Sequence, residues 1–395
     1  MDLRDTPAQA AFRAEIRTWL ANNLPDGWGT PAFEEPKGGD ERVAFLKSWQ
    51  RKLYEGGWAG LDWPAEFGGR GIGIFENMIF YEEYAAANAP NMINISVGPS
   101  LVGPTLIAAG TDAQKQRFLK PILTGSEVWC QGFSEPNAGS DLAALRTKGE
   151  VRGDEIIVTG QKIWTSFAKQ SDWCILVVRT DPDAPKHKGM SFLLVDMQSP
   201  GITIRPLREM TGEAWFNEVF FDEVRVPKDL LVGELNDGWN VVMTTLAHER
   251  GSSAQHGRLG REIGSLIELA KRTLRGGRRA ADDPAIRQKI ADFLAHVMIL
   301  KMTAYRSASE IERTGVPGPE GSTLKLLWSE LDQRVKDTAI ELLGEQGLVL
   351  EGDELSVEDG YWQHELLWSR AATIYAGTSE IQRNIIAQRV LGLPR

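Results

Sequence analysis

The hydrophobic period of this 395-residue chain changes twice, which restricts its fold more than any single motif does. Up to about residue 125 apolar residues recur at spacings of three and four, the spacing of one stripe on a helix. Ala11, Phe12, Ile16, Trp19 and Leu20 form one stripe. Val43, Phe45, Leu46, Trp49 and Leu53 form another, stopped by Gly56-Gly57. Residues 76–87 and 111–123 read the same way, with Thr111 as N-cap and Asp112 suited to the positive end of the helix dipole. From about residue 126 short runs rich in β-branched and aromatic residues take over, at 155–159, 173–178, 191–195, 202–204 and 219–221. No helical pattern separates them, so an antiparallel sheet package or barrel is expected. After Pro227 and Gly238 the helical period returns over 238–275, 284–314, 322–346 and 369–391. The expectation is an α+β chain with a helical domain over 1–125, a middle antiparallel β domain over 126–235 and a C-terminal four-helix bundle over 236–395.

Composition removes several function classes. With 54 acidic against 44 basic side chains the formal charge is -10, and no basic stripe of the kind nucleic acid requires is present. Two cysteines, Cys130 and Cys174, cannot make a disulfide framework, so a reducing compartment is expected. The first residues lack a signal-peptide profile, and no apolar run approaches the roughly 20 residues of a membrane span. A soluble, cytoplasmic protein is the expectation. The five histidines form no close pairs of the kind metal sites use, so no metal is expected. Gly68-Gly69-Arg70-Gly71 follows no strand pattern and reads as a plain loop rather than a nucleotide fingerprint.

Three segments carry potential chemistry. In Gln131-Gly132-Phe133-Ser134-Glu135-Pro136-Asn137-Ala138-Gly139-Ser140, small residues let backbone N–H groups approach a flat ring or a phosphate, and two serines add donors. In Gln161-Lys162-Ile163-Trp164-Thr165-Ser166, an indole followed by hydroxyls can stack beside a ring and bond its edge. In Tyr375-Ala376-Gly377-Thr378-Ser379-Glu380, a helical pattern breaks at Gly377 and restarts behind a cap at Thr378 or Ser379, and helix starts attract anions. Taken singly, each is also compatible with a loop, a core tryptophan or simple helix punctuation.

In this order and spacing the three segments resemble the acyl-CoA dehydrogenase family, as does Gly57-Trp58-Ala59-Gly60-Leu61-Asp62-Trp63-Pro64. The resemblance covers essentially the whole chain. It implies two helical domains around a β domain, FAD as cofactor, an acyl-CoA substrate, an electron-transferring flavoprotein as acceptor, and a homotetramer or heterotetramer. It further implies flavin contacts at Gln131, Phe133, Ser134, Gly139, Ser140, Trp164, Ser166, Thr378, Ser379 and Glu380. Arg278 and Gly344 match the adenine side, reached from a neighbouring subunit. That side departs from the family pattern: Arg275-Gly276-Gly277-Arg278-Arg279 replaces the usual run, and Glu341 and Glu345 stand where Gln and Gly are usual.

The resemblance also implies a carboxylate base for the α proton of the thioester. Many members place it immediately before the Gly of Tyr-x-Gly-Thr, where this chain has Ala376. Isovaleryl-type members carry it on an earlier helix, immediately before an Arg. His248-Glu249-Arg250 matches that second arrangement, so Glu249 is the expected base and Arg250 its neighbour in the substrate site. Ser140, Ala376 and Gly377 complete the expected substrate contacts, with the Ala376 N–H toward the thioester oxygen. The expected reaction yields a trans-2-enoyl-CoA. Two alternatives stay open: a non-catalytic or half-site subunit of a heteromeric dehydrogenase, and a flavin oxygenase on the same fold. The space freed beside Ala376 favours branched or bulky acyl groups.

Overall fold

The computed structural model describes residues 4–30, 32–249, 255–315 and 318–394, the side chains of His248 and Glu249 excepted. Helices α1 (Pro7–Asn23), α2 (Gly39–Glu55), α3 (Ile74–Ala86), α4 (Gly103–Ala109) and α5 (Asp112–Thr124) come first. Strands β1 (Trp129–Gly132), β2 (Lys148–Arg152), β3 (Glu155–Ser166), β4 (Trp173–Arg179), β5 (Met190–Asp196), β6 (Ile202–Leu207), β7 (Phe216–Pro227) and β8 (Leu231–Val232) follow. The chain continues through α6 (Gly238–Glu249), α7 (Gln255–Arg272), a hairpin of β9 (Leu274–Arg275) and β10 (Arg278–Arg279), α8 (Pro284–Thr314), α9 (Gly321–Leu343), α10 (Tyr361–Ala372) and α11 (Ser379–Ile385).

Local chemistry accounts for the helix ends. Thr111 Oγ1 accepts from Gln114 N at 3.2 Å while Gln114 Oε1 accepts from Thr111 N at 3.0 Å, a reciprocal cap that starts α5. Gly125, at φ 67°, stops it in the left-handed region. The long 369–391 pattern resolves into α10 and α11 with a turn between, and the 238–275 pattern into α6 and α7. The β9–β10 hairpin was not expected; Gly276 (φ 55°) and Gly277 (φ 79°) make its two-residue turn.

Asn22–Ile72 and Pro90–Glu249 form one compact unit. Its sheet runs in the order β6-β7-β3-β2-β4-β5-β8, with β1 beside β4. Most pairs are antiparallel, as the turn-linked runs imply, but β1 runs parallel to β4 and a single β2–β4 pairing is parallel. The chain enters β1 from helix α5 rather than through a hairpin, so nothing forces it to reverse. Strand β3 extends to Ser166, well past the 155–159 pattern, which stops short because Gly160 and Lys162 interrupt the apolar run that marks a strand. Ile156, Val158, Leu176, Val178, Leu193, Val195 and Val219 fill one core of the unit.

Met1–Ala21, Gly73–Ala89 and Arg250–Arg395 form the other unit over their described residues. Its core takes Leu259, Ile263, Leu266 and Leu269 from α7, Phe293 and Leu300 from α8, and Leu331, Val335, Ala339 and Leu342 from α9. Within this apolar bundle Lys336 is fully buried and donates to Glu262 and, at 2.8 Å, to Asp332. Arg258 reaches the same two carboxylates at 2.5 and 3.1 Å. Two cations against two anions leave no net buried charge, which is the condition for tolerating such a cluster.

A second charged node joins α1, α3, α7 and α8 around Glu82. His256 Nε2 lies 2.9 Å from its Oε1, Lys301 Nζ 3.3 Å and the Tyr305 hydroxyl 3.2 Å, while Arg13 reaches Oε2 at 3.0 Å. Burial raises the Glu82 carboxyl, but His256, Lys301 and Arg13 outweigh it and hold the group at about 2. Because the native value lies below the ordinary 4.5, the stabilisation is complete above about pH 4.5 and vanishes as pH falls toward 2. Urea unfolding at stepped pH should show a loss on the order of 2 kcal/mol in that window, after allowance for solvent screening. Glu82→Gln should flatten that slope.

Candidate functional site

The first motif leaves the sheet at the end of β1. Trp129 stacks on Trp173 of β4 at 5.6 Å, with Phe118 edge-on to both. A Cβ on Gly132 would lie 2.8 Å from Leu176 Cδ1 and 3.0 Å from Cys174 Sγ, so glycine lets β1 lie close against β4. Gln131 is half-buried, and Phe133 is buried edge-on to Phe192 at 5.9 Å. Paired backbone hydrogen bonds between Glu135 and Ala138, 3.1 and 3.0 Å, then close a tight turn. Gly139 and Ser140 are exposed beyond it. A Cβ on Gly139 would meet nothing within 4 Å, so its own fold does not demand glycine there.

The second motif ends β3. Its register against β7 slips between Lys162 and Thr165. Trp164 sits inside that slip at φ 61°, its indole 58% exposed and edge-on to Phe216 at 6.0 Å. A left-handed tryptophan is a costly conformation, and here it turns a large apolar ring outward beside half-buried Ser166. The structure brings these two motifs together: Ile163 N donates to Ser134 O at 2.9 Å.

The third motif lies in the other compact unit. Ala376 (φ 52°) and Gly377 (φ 84°) are consecutive left-handed residues between α10 and α11. Buried Gln382 braces them, its Nε2 donating to Ala376 O at 2.9 Å and Gly377 O at 3.1 Å. Thr378 caps α11 by accepting from Ile381 N at 3.2 Å. Thr378, Ser379 and Glu380 wall a cavity of about 480 Å³ together with Gln333, Thr373 and Arg383. Ser379 Oγ is buried there without a hydrogen-bond partner. The Glu380 carboxyl is held below its usual range by its own backbone N–H and by the Thr378 hydroxyl.

The adenine-side candidates sit apart from this turn in sequence. Arg278 is exposed on the β9–β10 hairpin opposite Arg275, and Gly344 ends α9 at φ 57°. Glu341 pairs with Lys289 and lies 3.9 Å from Arg275. The expected base closes α6. That helix is anchored through a hydrogen bond between Thr245 and Thr105 hydroxyls at 2.8 Å and through Gly238, where a Cβ would lie 2.7 Å from the Ser191 backbone. Glu249 is its last residue; the Glu249 side chain and Arg250 fall outside the described residues.

Three residues were passed over in the sequence: Glu135, Lys162 and Gln382. Lys162 carried a readable signal, since strand alternation from Ile156 and Val158 puts it on the inward face, where an unpaired lysine is rare. Glu135 and Gln382 carried none, because their partners are distant or set by a turn.

The chain matches the family models for the acyl-CoA dehydrogenase N-terminal domain at residues 6–126, middle domain at 130–224 and C-terminal domain at 236–391. The chain belongs to the acyl-CoA dehydrogenase family. It is 44% identical to the acyl-CoA dehydrogenase IpdE1 of Mycolicibacterium smegmatis, with 97% of each chain covered. Among solved structures it is similar to the Tcur3481-Tcur3483 steroid ACAD at a TM-score of 0.87 and 32% identity, over 100% of both chains. The ChsE4-ChsE5 complex from Mycobacterium tuberculosis gives 0.85 and 32%, again over 100% of both. This acyl-CoA dehydrogenase is accordingly an oxidoreductase and a flavoprotein of lipid metabolism, with FAD as cofactor. Its residues fit such a group: open space at Gly139, an outward indole at Trp164, and an unpartnered hydroxyl on a cavity wall at Ser379. Among the described residues no helix is long and apolar enough to cross a membrane.

Two glycines differ in what the fold asks of them. Gly377→Ala forces a Cβ to 2.6 Å from Gln382 Nε2 at φ 84°. It should lower the unfolding free energy by about 1–3 kcal/mol in a denaturant titration. Gly139→Ala should leave that titration unchanged while weakening FAD uptake.

Proposed function

We propose that this dehydrogenase oxidises an acyl-CoA thioester to the trans-2-enoyl-CoA, with Glu249 removing the α proton. Two features carry the reading: Ala376 stands on the braced left-handed turn where a carboxylate would otherwise be, and the sequence supplies a glutamate as the last residue of anchored α6. Ala376 cannot accept a proton, yet it keeps a backbone N–H, and a donor aimed at the thioester oxygen stabilises the enolate-like charge by a few kcal/mol. Glu249 stands next to Arg250 in sequence, whose positive charge favours the carboxylate. An acyl chain covering Glu249 would exclude water and raise its basicity. Ser140 and Gly377 would hold the rest of the thioester arm.

Gln131, Phe133, Ser134, Gly139, Trp164 and Ser166 would hold the flavin ring and its diphosphate, with Thr378, Ser379 and Glu380 supplying the helix-start contacts. FAD, when bound, supplies the hydride acceptor. An electron-transferring flavoprotein would reoxidise it, in a cytoplasmic setting. Bulky acyl groups suit the volume freed at Ala376, and the steroid ACAD at 32% identity supports that choice. Anaerobic titration with short, branched and ring-bearing acyl-CoAs should bleach the yellow protein with the bulky members. Glu249→Gln should lower the bleaching rate at least a thousandfold, about 4 kcal/mol, without loss of flavin. Retained bleaching in that variant would remove Glu249 from its role.

One observation favours a further reading, that the chain works beside a different chain rather than a copy of itself. Glu341, at a position tied to the adenine side, is engaged by Lys289 and lies near Arg275 of the same chain. A carboxylate there occupies cations that could otherwise meet a diphosphate, so a partner's flavin would find less support. The Tcur3481-Tcur3483 and ChsE4-ChsE5 structures each carry two named chains. Native mass and flavin content decide it. A homotetramer with one FAD per chain counts against a heteromer.

A further inference from the structure

Lys162 is fully buried in β3, and its ammonium has two partners, both in the segment after β1. It donates to Glu135 Oε1 at 2.8 Å and to the Phe133 carbonyl at 3.1 Å. Glu135, 9% exposed, also accepts from Thr147 N at 2.8 Å and Arg146 N at 2.7 Å. Burial pushes the Glu135 carboxyl up, but Lys162 and Thr147 more than offset this and leave it below its usual value, as a carboxylate at neutral pH.

Stability alone gives little reason for this pair. Replacing a buried ion pair by apolar side chains of similar volume is often neutral or stabilising. What the pair does is geometric. Lys162 is the last residue before the register slip, and the next residue in register with β7 is Thr165. Residues 163 and 164 are therefore released from the sheet ladder, which frees Ile163 N to donate to Ser134 O. Trp164 then takes its left-handed backbone. The slip leaves Thr165 Oγ1 and Asn217 Oδ1 buried without hydrogen-bond partners, so it does not hold itself in place. Lys162 grips the Phe133 carbonyl and the Glu135 carboxylate on one side of Ser134, and Ile163 grips Ser134 itself.

We propose that Lys162 and Glu135 are positioning residues for the flavin ring, clamping the Phe133–Glu135 segment to the Trp164 bulge so that the two walls of the ring site keep one separation. The proposal rests on the reading that these two segments flank the ring. Neither side chain need touch the flavin; each acts through the backbone it holds.

The test compares Lys162→Met, Glu135→Gln and the double variant in the full chain isolated with its flavin. Each single variant leaves one buried group without its counter-charge and should unfold at lower temperature. The double variant removes both charges and should recover much of that loss. It cannot recover the grip on the Phe133 carbonyl. FAD should therefore bind it at least about tenfold more weakly, with a shifted visible absorption and circular-dichroism band. With saturating FAD, kcat should fall more than KM rises, since the ring rather than the acyl chain is misplaced. A double variant with wild-type FAD affinity and spectrum would show that the pair only stabilises the fold and would overturn the proposal. If wild-type protein takes up FAD but Gly139→Ala and Trp164→Ala leave its affinity and spectrum untouched, the ring-site reading fails first, and the clamp with it.

Discussion

An ammonium group buried in a β-sheet imposes a demand that the surrounding chain must meet. In this protein Lys162 meets it with the Glu135 carboxylate and the Phe133 carbonyl, and Glu135 in turn takes two backbone N–H groups from Arg146 and Thr147. Four segments of the β unit are tied at that node: the turn after β1, the approach to β2, the end of β3, and through Asn217, which donates to Thr165 O, the start of β7. The outward indole of Trp164 and the exposed Gly139-Ser140 arm both hang from it.

Left-handed backbone marks the same places. Trp164, Ala376 and Gly377 all take positive φ, two of them without the freedom of glycine. Each is held by specific partners: the register slip for Trp164, and Gln382 for the Ala376-Gly377 turn. Strain of this kind survives only where the surroundings over-determine it, and it directs a ring or a backbone N–H to one position. The absence of a carboxylate at 376 therefore need not disturb the turn, because Gln382 holds carbonyls and never uses the side chain at that position.

Much of the fold was legible along the chain. The Thr111 cap, the apolar stripes of the helices, the β-branched runs and the glycine breaks are short-range features, and the structure places elements at each. The motifs that carry the family resemblance were legible for the same reason. Less was visible where a partner comes from far away. Lys162 interrupted a strand pattern and shortened the expected β3, although its inward register signalled a buried cation. Gln382 carried no local signal, since its role depends on the turn behind it. The Arg275–Arg278 hairpin was hidden because two-residue strands carry no period.

From its residue order alone the chain specified where most of its helices and strands form and which family its motifs resemble, because propensity, capping and turn chemistry act within a few residues. Tertiary structure decided what those elements hold against one another. It set β1 parallel to β4, joined Ser134 to Ile163, and gave Lys162 its counter-charge 27 positions away. Such pairings depend on long-range closure and on the exclusion of water from buried charge, and neither is written in the spacing of neighbouring residues.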